Sequence, residues 1–244
     1  MQDNEETKKP LSGIFSGVHG TLEEVFTHIY EQNIWRDTES VSGRGSSLSA
    51  TVQLRTKISE FFKDMGIKSI LDMPCGDFNW FKALDHNFES YVGYDIVHEL
   101  IEKNQKQFGS LKTAFRHANI LKESFEPADI ALCRDFLIHS SNADIFAFFA
   151  NLSRSNVSQI LVTHYENCEN IDIPTGNRYR PIDFTKPPFS FPEPLHLIEE
   201  DISSMQDTAS RFAADKTKPL QKFLGHWNTA DLYQILEQNP AYTQ

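Results

Sequence analysis

From residue 68 onward, short apolar runs alternate with amphipathic stretches. Residues 68–73 (KSILDM) lie between Gly66 and Pro74 and predict a first strand. Residues 91–96 (YVGYDI), 113–118 (TAFRHA), 129–133 (DIALC) and 159–164 (QILVTH) repeat that signature. Between them, 98–108 (HELIEKNQKQF) and 142–152 (NADIFAFFANL) carry apolar residues at helical spacing. This alternation predicts a parallel sheet with crossover helices. Residues 195–201 (LHLIEED) and 222–228 (KFLGHWN) predict a terminal strand pair, which brings the strands to seven.

Upstream, residues 22–30 predict a short helix with Val25, Phe26 and Ile29 on one face. The stretch 40–47 (SVSGRGSS) predicts a loop, and Ser47 or Ser49 a cap for a helix that runs to about Asp64. Residues 1–20 are polar and broken by Pro10, Gly13, Gly17 and Gly20, which predicts a frayed start. Residues 166–194 hold six of the eleven prolines and fit neither helix nor strand. A stretch of that length predicts a functional lid or disorder. Residues 202–219 predict a polar excursion, flexible or helical. The chain shows no internal repeat and no interdomain linker, so a single domain is expected.

A formal charge of −11 disfavours nucleic acid and anionic membranes as partners. Cys75, Cys133 and Cys168 match neither a zinc knuckle nor a CxxC pair, and such sparse use fits a reducing cytosol. The start, MQDNEETKKP, lacks the apolar stretch of a signal peptide. No run approaches the ~20 apolar residues of a membrane helix, so a cytoplasmic protein is expected.

In an open parallel sheet, ligands bind beyond the carboxyl ends of the strands. The first strand leads into Asp72-Met73-Pro74-Cys75-Gly76-Asp77-Phe78, where Gly76 permits close approach of a ligand to the backbone. Asp95 ends the second strand, 23 residues after Asp72, at the position of an acid that accepts hydrogen bonds from a ribose diol. A nicotinamide dinucleotide would also need GxGxxG to seat its pyrophosphate, and here Pro74 and Phe78 stand in place of glycines. S-adenosylmethionine carries no phosphate and needs no such cradle. The turn therefore favours a methyl donor.

SILDMPCGDFNW, YVGYDIV and ADIALCRDFLIHSS resemble motifs one, two and four of class I S-adenosylmethionine-dependent methyltransferases. More narrowly, Ile29-Tyr30, Asn33, Trp35, Ser42-Gly43 and Gly45-Ser46 stand ahead of these motifs. TGNRYRPIDFTKPPFSFPEPL and LGHW follow them. Together they resemble a bacterial methyltransferase family of undefined acceptor, over about residues 24–233. The resemblance implies an α/β, Rossmann-like class I methyltransferase fold with a mostly parallel seven-stranded sheet and helices on both faces. It also implies S-adenosylmethionine as cofactor and S-adenosylhomocysteine as product. On that pattern residues 1–46 are an N-terminal lid or extension, 47–165 the cofactor-binding core, and 166–244 an acceptor loop with the terminal strands. Asp72, Pro74 and Gly76 would line the methionine side, with Cys75 contributing backbone. Asp95 and Ile96 would hold ribose and adenine, and Ala118-Asn119 would meet the adenine edge. Trp35, Gly45 and Ser46 would close over the methionine carboxylate, and Arg134 would face the methyl-transfer zone.

Methyl transfer from a sulfonium is an in-line displacement, so alignment is the protein's main contribution. An oxygen or nitrogen acceptor still has a proton to lose. His139, Asp135 and His164 are the candidate bases, and His139 is favoured because imidazole titrates near neutrality. The proline-rich stretch is expected to wall the acceptor site with Tyr165, Arg178, Tyr179 and Arg180, beside His164. Those arginines suggest an acidic small molecule or sugar as acceptor. No Asn/Asp-Pro-Pro-Tyr sequence follows the fourth strand, which favours oxygen methylation. A noncatalytic cofactor-binding module and a nicotinamide-dependent oxidoreductase are the competing readings. Structural roles compete residue by residue: His139 as a packed ring, Trp35, Trp80 and Trp227 as core, Cys75 and Cys133 as buried fillers.

Overall fold

A computed structural model describes residues 20–176, 178–202 and 210–239. The expectation for residues 1–19 and the 203–209 part of that for 202–219 lie outside the described residues. Five strands run parallel: β1 (Ser69–Asp72), β2 (Ser90–Asp95), β3 (Thr113–His117), β4 (Ala128–Cys133) and β5 (Val157–Glu166). Strands β6 (His196–Glu200) and β7 (Gln221–Asn228) complete one sheet in the order β3-β2-β1-β4-β5-β7-β6. Strand β7 is antiparallel to both of its neighbours. The order reverses between β1 and β4, which creates a crevice at their carboxyl ends.

The period of two along each strand sorts side chains to two cores. Ile70, Ile130, Leu132 and Leu161 join one cluster with Leu54, Ile58, Phe61 and Phe62 of α2 (Val52–Asp64). Leu71, Ala131, Cys133, Ile160 and Val162 join the other, with α1 (Leu22–Glu31) and α4 (Asn142–Leu152). Burial on both faces is why the central strands read as continuous apolar runs rather than alternating ones. Helix α3 (His98–Phe108) contributes Leu100 to one cluster and Ile101 to the other.

Local chemistry fixes the helix ends. Thr21 and Glu24 form a reciprocal capping box at the start of α1. Helix α2 starts later than the serines suggested. Ser47 Oγ accepts from the Ala50 amide at 3.2 Å, which closes a turn ahead of the helix. Helix α5 (Thr229–Leu236) was not expected; it buries Leu232 and Leu236 after β7.

The proline-rich stretch differs from expectation. It forms no regular helix or strand among its described residues beyond the end of β5, yet it is packed. Phe184, Phe189 and Phe191 are buried, and Phe191 meets Phe149 at 5.1 Å and Trp227 at 5.9 Å between ring centroids. Trp227 Nε1 donates to the Pro192 carbonyl at 2.7 Å. Aromatic side chains thus do the work that backbone pairing cannot do where proline removes donors. The stretch sends its aromatic side chains into the core, where a lid or disorder was expected. Among the described residues, no helix is long and apolar enough to cross a membrane.

Candidate active site

The crevice at the carboxyl ends of β1, β2 and β4 is a cleft of about 950 Å³, counting its open mouth. It is lined by Asp72, Pro74, Cys75 and Gly76. Asp95, Ile96 and Ala118 continue the wall, and Arg134, Asp135 and His139 close the far end beside Ser46 and Trp35, whose ring is 5.8 Å from that of His139. These twelve are residues that the sequence singled out. Leu22, Phe26, Tyr30 and Val41 add an apolar wall from the N-terminal segment, for none of which a place at the cofactor site was expected.

The turn after β1 is shaped by contact with residues 39–48. Gly76 has φ +54°, and a Cβ there would lie 2.2 Å from Ser42 Oγ. Ser42 Oγ accepts from the Asp77 amide at 3.0 Å, and Asp77 in turn accepts from the Val41 amide at 3.0 Å. Asn79 Nδ2 donates to Glu39 Oε1 at 2.7 Å and to the Ser46 carbonyl at 3.0 Å. The polar residues of the GDFNW run are therefore a clamp that straps the Ser/Gly loop over the cleft. Phe78 points the other way and packs on Tyr91 and Phe115 at 5.0 and 5.1 Å. Their place directly after the turn glycine was the available signal for the clamp.

Two buried carboxyls face the cleft. Burial pushes Asp72 up to about 7, while Tyr91 Oη donates to its Oδ2 at 2.8 Å. Burial pushes Asp95 up to about 6, although the amides of Val97 and Gly76 donate to it at 3.0 and 3.1 Å. A carboxylate offers about four lone-pair sites, so Asp95 keeps about two for a ligand diol.

At the other end, Asp135 sits at φ +59°, an uncommon backbone for a non-glycine residue. Its amide donates to Thr163 Oγ1 at 2.8 Å, and Lys222 Nζ lies 2.8 Å from its carboxylate. Against the effect of burial, Lys222 and then Arg134 hold this carboxyl well below the usual range. Arg134 is itself committed: Nη2 lies 2.6 Å from Glu200 Oε2 and 3.0 Å from the Gly45 carbonyl, and the guanidinium rests over Trp80. His139 Nδ1 lies 2.7 Å from the Arg178 carbonyl, so that nitrogen carries the proton and Nε2 keeps its lone pair. Burial lowers the pKa of His139, which favours the neutral ring.

The remaining candidates are not brought to the cleft. Gly45 acts through its carbonyl on Arg134. The Asn119 side chain accepts from the Leu121 amide at 3.0 Å, closing a local turn. His164 is buried, accepts from the Phe184 amide at 3.2 Å and is pulled by burial to about 4. Tyr165 is buried against Tyr179. Arg180 is fully buried and donates to the Ser140 carbonyl and Asn142 Oδ1, both at 2.9 Å. Arg178 meets the site through its carbonyl. The expected acceptor wall is thus mostly interior packing, and the cations that suggested an acidic acceptor do not face the cleft. Cys75 and Cys133 are buried and their thiols are pushed up by burial, as fillers should be.

No family model and no curated protein matches the sequence. Solved structures do resemble it. The chain is similar to StiE O-MT at 12% identity over 84% of this chain and 85% of that one, with a TM-score of 0.51. It is also similar to magnesium protoporphyrin IX methyltransferase from Synechocystis PCC 6803, at 10% identity over 88% and 90% of the two chains and a TM-score of 0.48. The methyltransferase domain of bacterial CtHen1-C is matched at 17% identity over 46% of this chain, with a TM-score of 0.41, and the match spans 64% of that domain. At such identities the likeness to StiE O-MT shows the architecture alone, a Rossmann-like, mostly parallel seven-stranded sheet with helices on both faces.

Proposed function

We propose that the chain is an S-adenosylmethionine-dependent methyltransferase that methylates a hydroxyl oxygen of a small molecule or sugar. The observation that carries this reading is the charge of the cleft. Asp72 and Asp95 line it without a cationic partner, Asp135 is offset by Lys222, and among its described lining residues the one cationic side chain, Arg134, is neutralised by Glu200. Such a site repels the diphosphate of a nicotinamide dinucleotide and suits a sulfonium with an ammonium group. The donor fits the residues present. Asp95 has acceptor capacity left for a ribose diol. Ile96, Val97, Leu100 and Ile120 form an apolar slot for a base, and the missing side chain at Gly76 lets Ser42 of the strap pack close over the turn. Bound S-adenosylmethionine supplies a methyl group already activated by its sulfonium.

The chain's own residues then have two tasks. The strap at 39–48 and the wall of α1 exclude water and align the donor. His139 holds a free Nε2 lone pair at the far end of the cleft, fixed by its bond to the Arg178 carbonyl, and takes the acceptor's proton. Asp135 is too strongly paired to act as a base. With no free cation lining the cleft, a neutral hydroxyl compound suits it better than an acid. The test is transfer of a labelled methyl group to a panel of neutral sugars and other hydroxyl compounds, with the His139→Ala variant alongside. The variant should lose on the order of 10²-fold in turnover. Undiminished transfer by the variant would remove His139 from the mechanism, and labelling of amines alone would overturn oxygen as the acceptor atom.

A further inference from the structure

One buried set of charges reaches the acceptor end of the cleft from the last two strands. The Lys222 side chain is 2% exposed, with Nζ 2.8 Å from Asp135 Oδ1 and 3.1 Å from Glu200 Oε2. Arg134 lies 2.6 Å from Glu200 and 3.5 Å from Asp135. Topology explains the meeting. Because β7 runs antiparallel to β5, its first residues return to the edge where β4 and β5 end. Lys222 there faces Tyr165 on one side and Glu200 on the other. Two cations and two carboxylates sum to zero, which is the condition under which buried charges are tolerable.

Resting on the reading of His139 as the proton acceptor, we propose that Lys222 is a positioning residue. It fixes the Asp135 carboxylate and offsets its charge, so that the neighbouring His139 ring stays neutral and free to accept a proton. An unopposed Asp135 anion would favour the imidazolium, which has no lone pair to offer. Arg134 offsets Asp135 less, because its Nη1 stands 3.5 Å away while Nε and Nη2 serve Glu200 and the Gly45 carbonyl. The charged groups that act on His139 are Asp135 and Lys222, with opposite signs. Its other neighbours are the Arg178 carbonyl on Nδ1 and the rings of Trp35 and Tyr179 at 5.8 and 6.2 Å. Without Lys222, Asp135 would still have Arg134 and the Thr163 hydroxyl and would remain an anion.

The test is an NMR titration of the His139 ring in the full, ligand-free chain, assigned with His139→Gln. Lys222→Met should raise the titration midpoint, Lys222→Arg should leave it near wild type, and the double variant Asp135→Asn/Lys222→Met should restore it. A folded Lys222→Met protein with an unmoved midpoint overturns the proposal. Should that variant not fold, Asp135→Asn carries the test: the lysine, no longer matched by Asp135, should lower the midpoint, and no fall overturns the proposal. No donor or acceptor is present in this experiment. Its failure therefore leaves the methyl-donor reading intact, and the failure of donor binding leaves this result intact.

Discussion

Replacing Asp95 with alanine removes the group on which the donor assignment leans most. Its carboxylate is 7% exposed and already accepts from the Gly76 and Val97 amides, at 3.1 and 3.0 Å. The two remaining lone-pair sites match the two hydroxyls of a ribose. A hydrogen bond to a charged acceptor contributes about 1.5–3 kcal/mol, and each 1.4 kcal/mol is about tenfold in affinity. Losing one such bond therefore weakens donor binding by about 10- to 150-fold. Alanine also leaves the Gly76 amide without its partner, so Asp95→Asn is the necessary companion: it keeps one acceptor oxygen, loses the charge and should fall between. Trp35 and Trp80 both line the cleft and provide an intrinsic fluorescence signal for the titration. An Asp95→Ala protein that melts like wild type and binds S-adenosylmethionine within about twofold of it would refute the ribose assignment, since about 1.4 kcal/mol separates even tenfold steps.

The carboxyls of Asp72 and Asp95, pushed up to about 7 and about 6 by burial, predict that donor affinity falls as pH is lowered from the first value through the second. The same shifts stabilise the ligand-free fold at low pH, and that contribution is lost as pH rises through the folded values. Calorimetric titrations across the range check the first statement, and an affinity that is flat or improves toward acid contradicts it. Asn79→Ala removes two of the strap's ties to the turn, one of them a charge-assisted bond contributing about 1.5–3 kcal/mol. Amide exchange across residues 40–48 should quicken and donor affinity should drop; unchanged protection would mean that the clamp is dispensable. Phe184→Ala should cost about 3–5 kcal/mol in a urea melt, because the side chain is fully buried among aromatic neighbours. A cost under about 1 kcal/mol would restore the lid reading of the proline-rich stretch.

The parallel strands and helices α3 and α4 were legible because each is a continuous apolar run or an amphipathic repeat with a clear boundary. Helix α5 was not, since only Leu232 and Leu236 of its eight residues bury a full aliphatic side chain. Around the cleft, Asp72, Gly76 and Asp95 were legible because strand ends and spacing place them at the switch point. Arg134 lines the cleft, but its ion pair was not legible: its partner Glu200 lies 66 residues away, and no periodicity reports such a pairing. The same holds for Lys222 and Asp135, 87 residues apart. Arg180 looked functional from its place before Pro181 in the proline-rich stretch, and His164 from its place at the end of the fifth strand. Tertiary packing buries both, Arg180 against Ser140 and Asn142 and His164 against Phe184.

The central claim is that the cleft takes a sulfonium donor and not a dinucleotide. Side-by-side calorimetric titration of the intact chain with S-adenosylmethionine, S-adenosylhomocysteine and NADH tests it directly. Saturable binding of the first two without NADH is the predicted result. Binding of NADH alone, or no binding of S-adenosylmethionine at neutral pH, would contradict it.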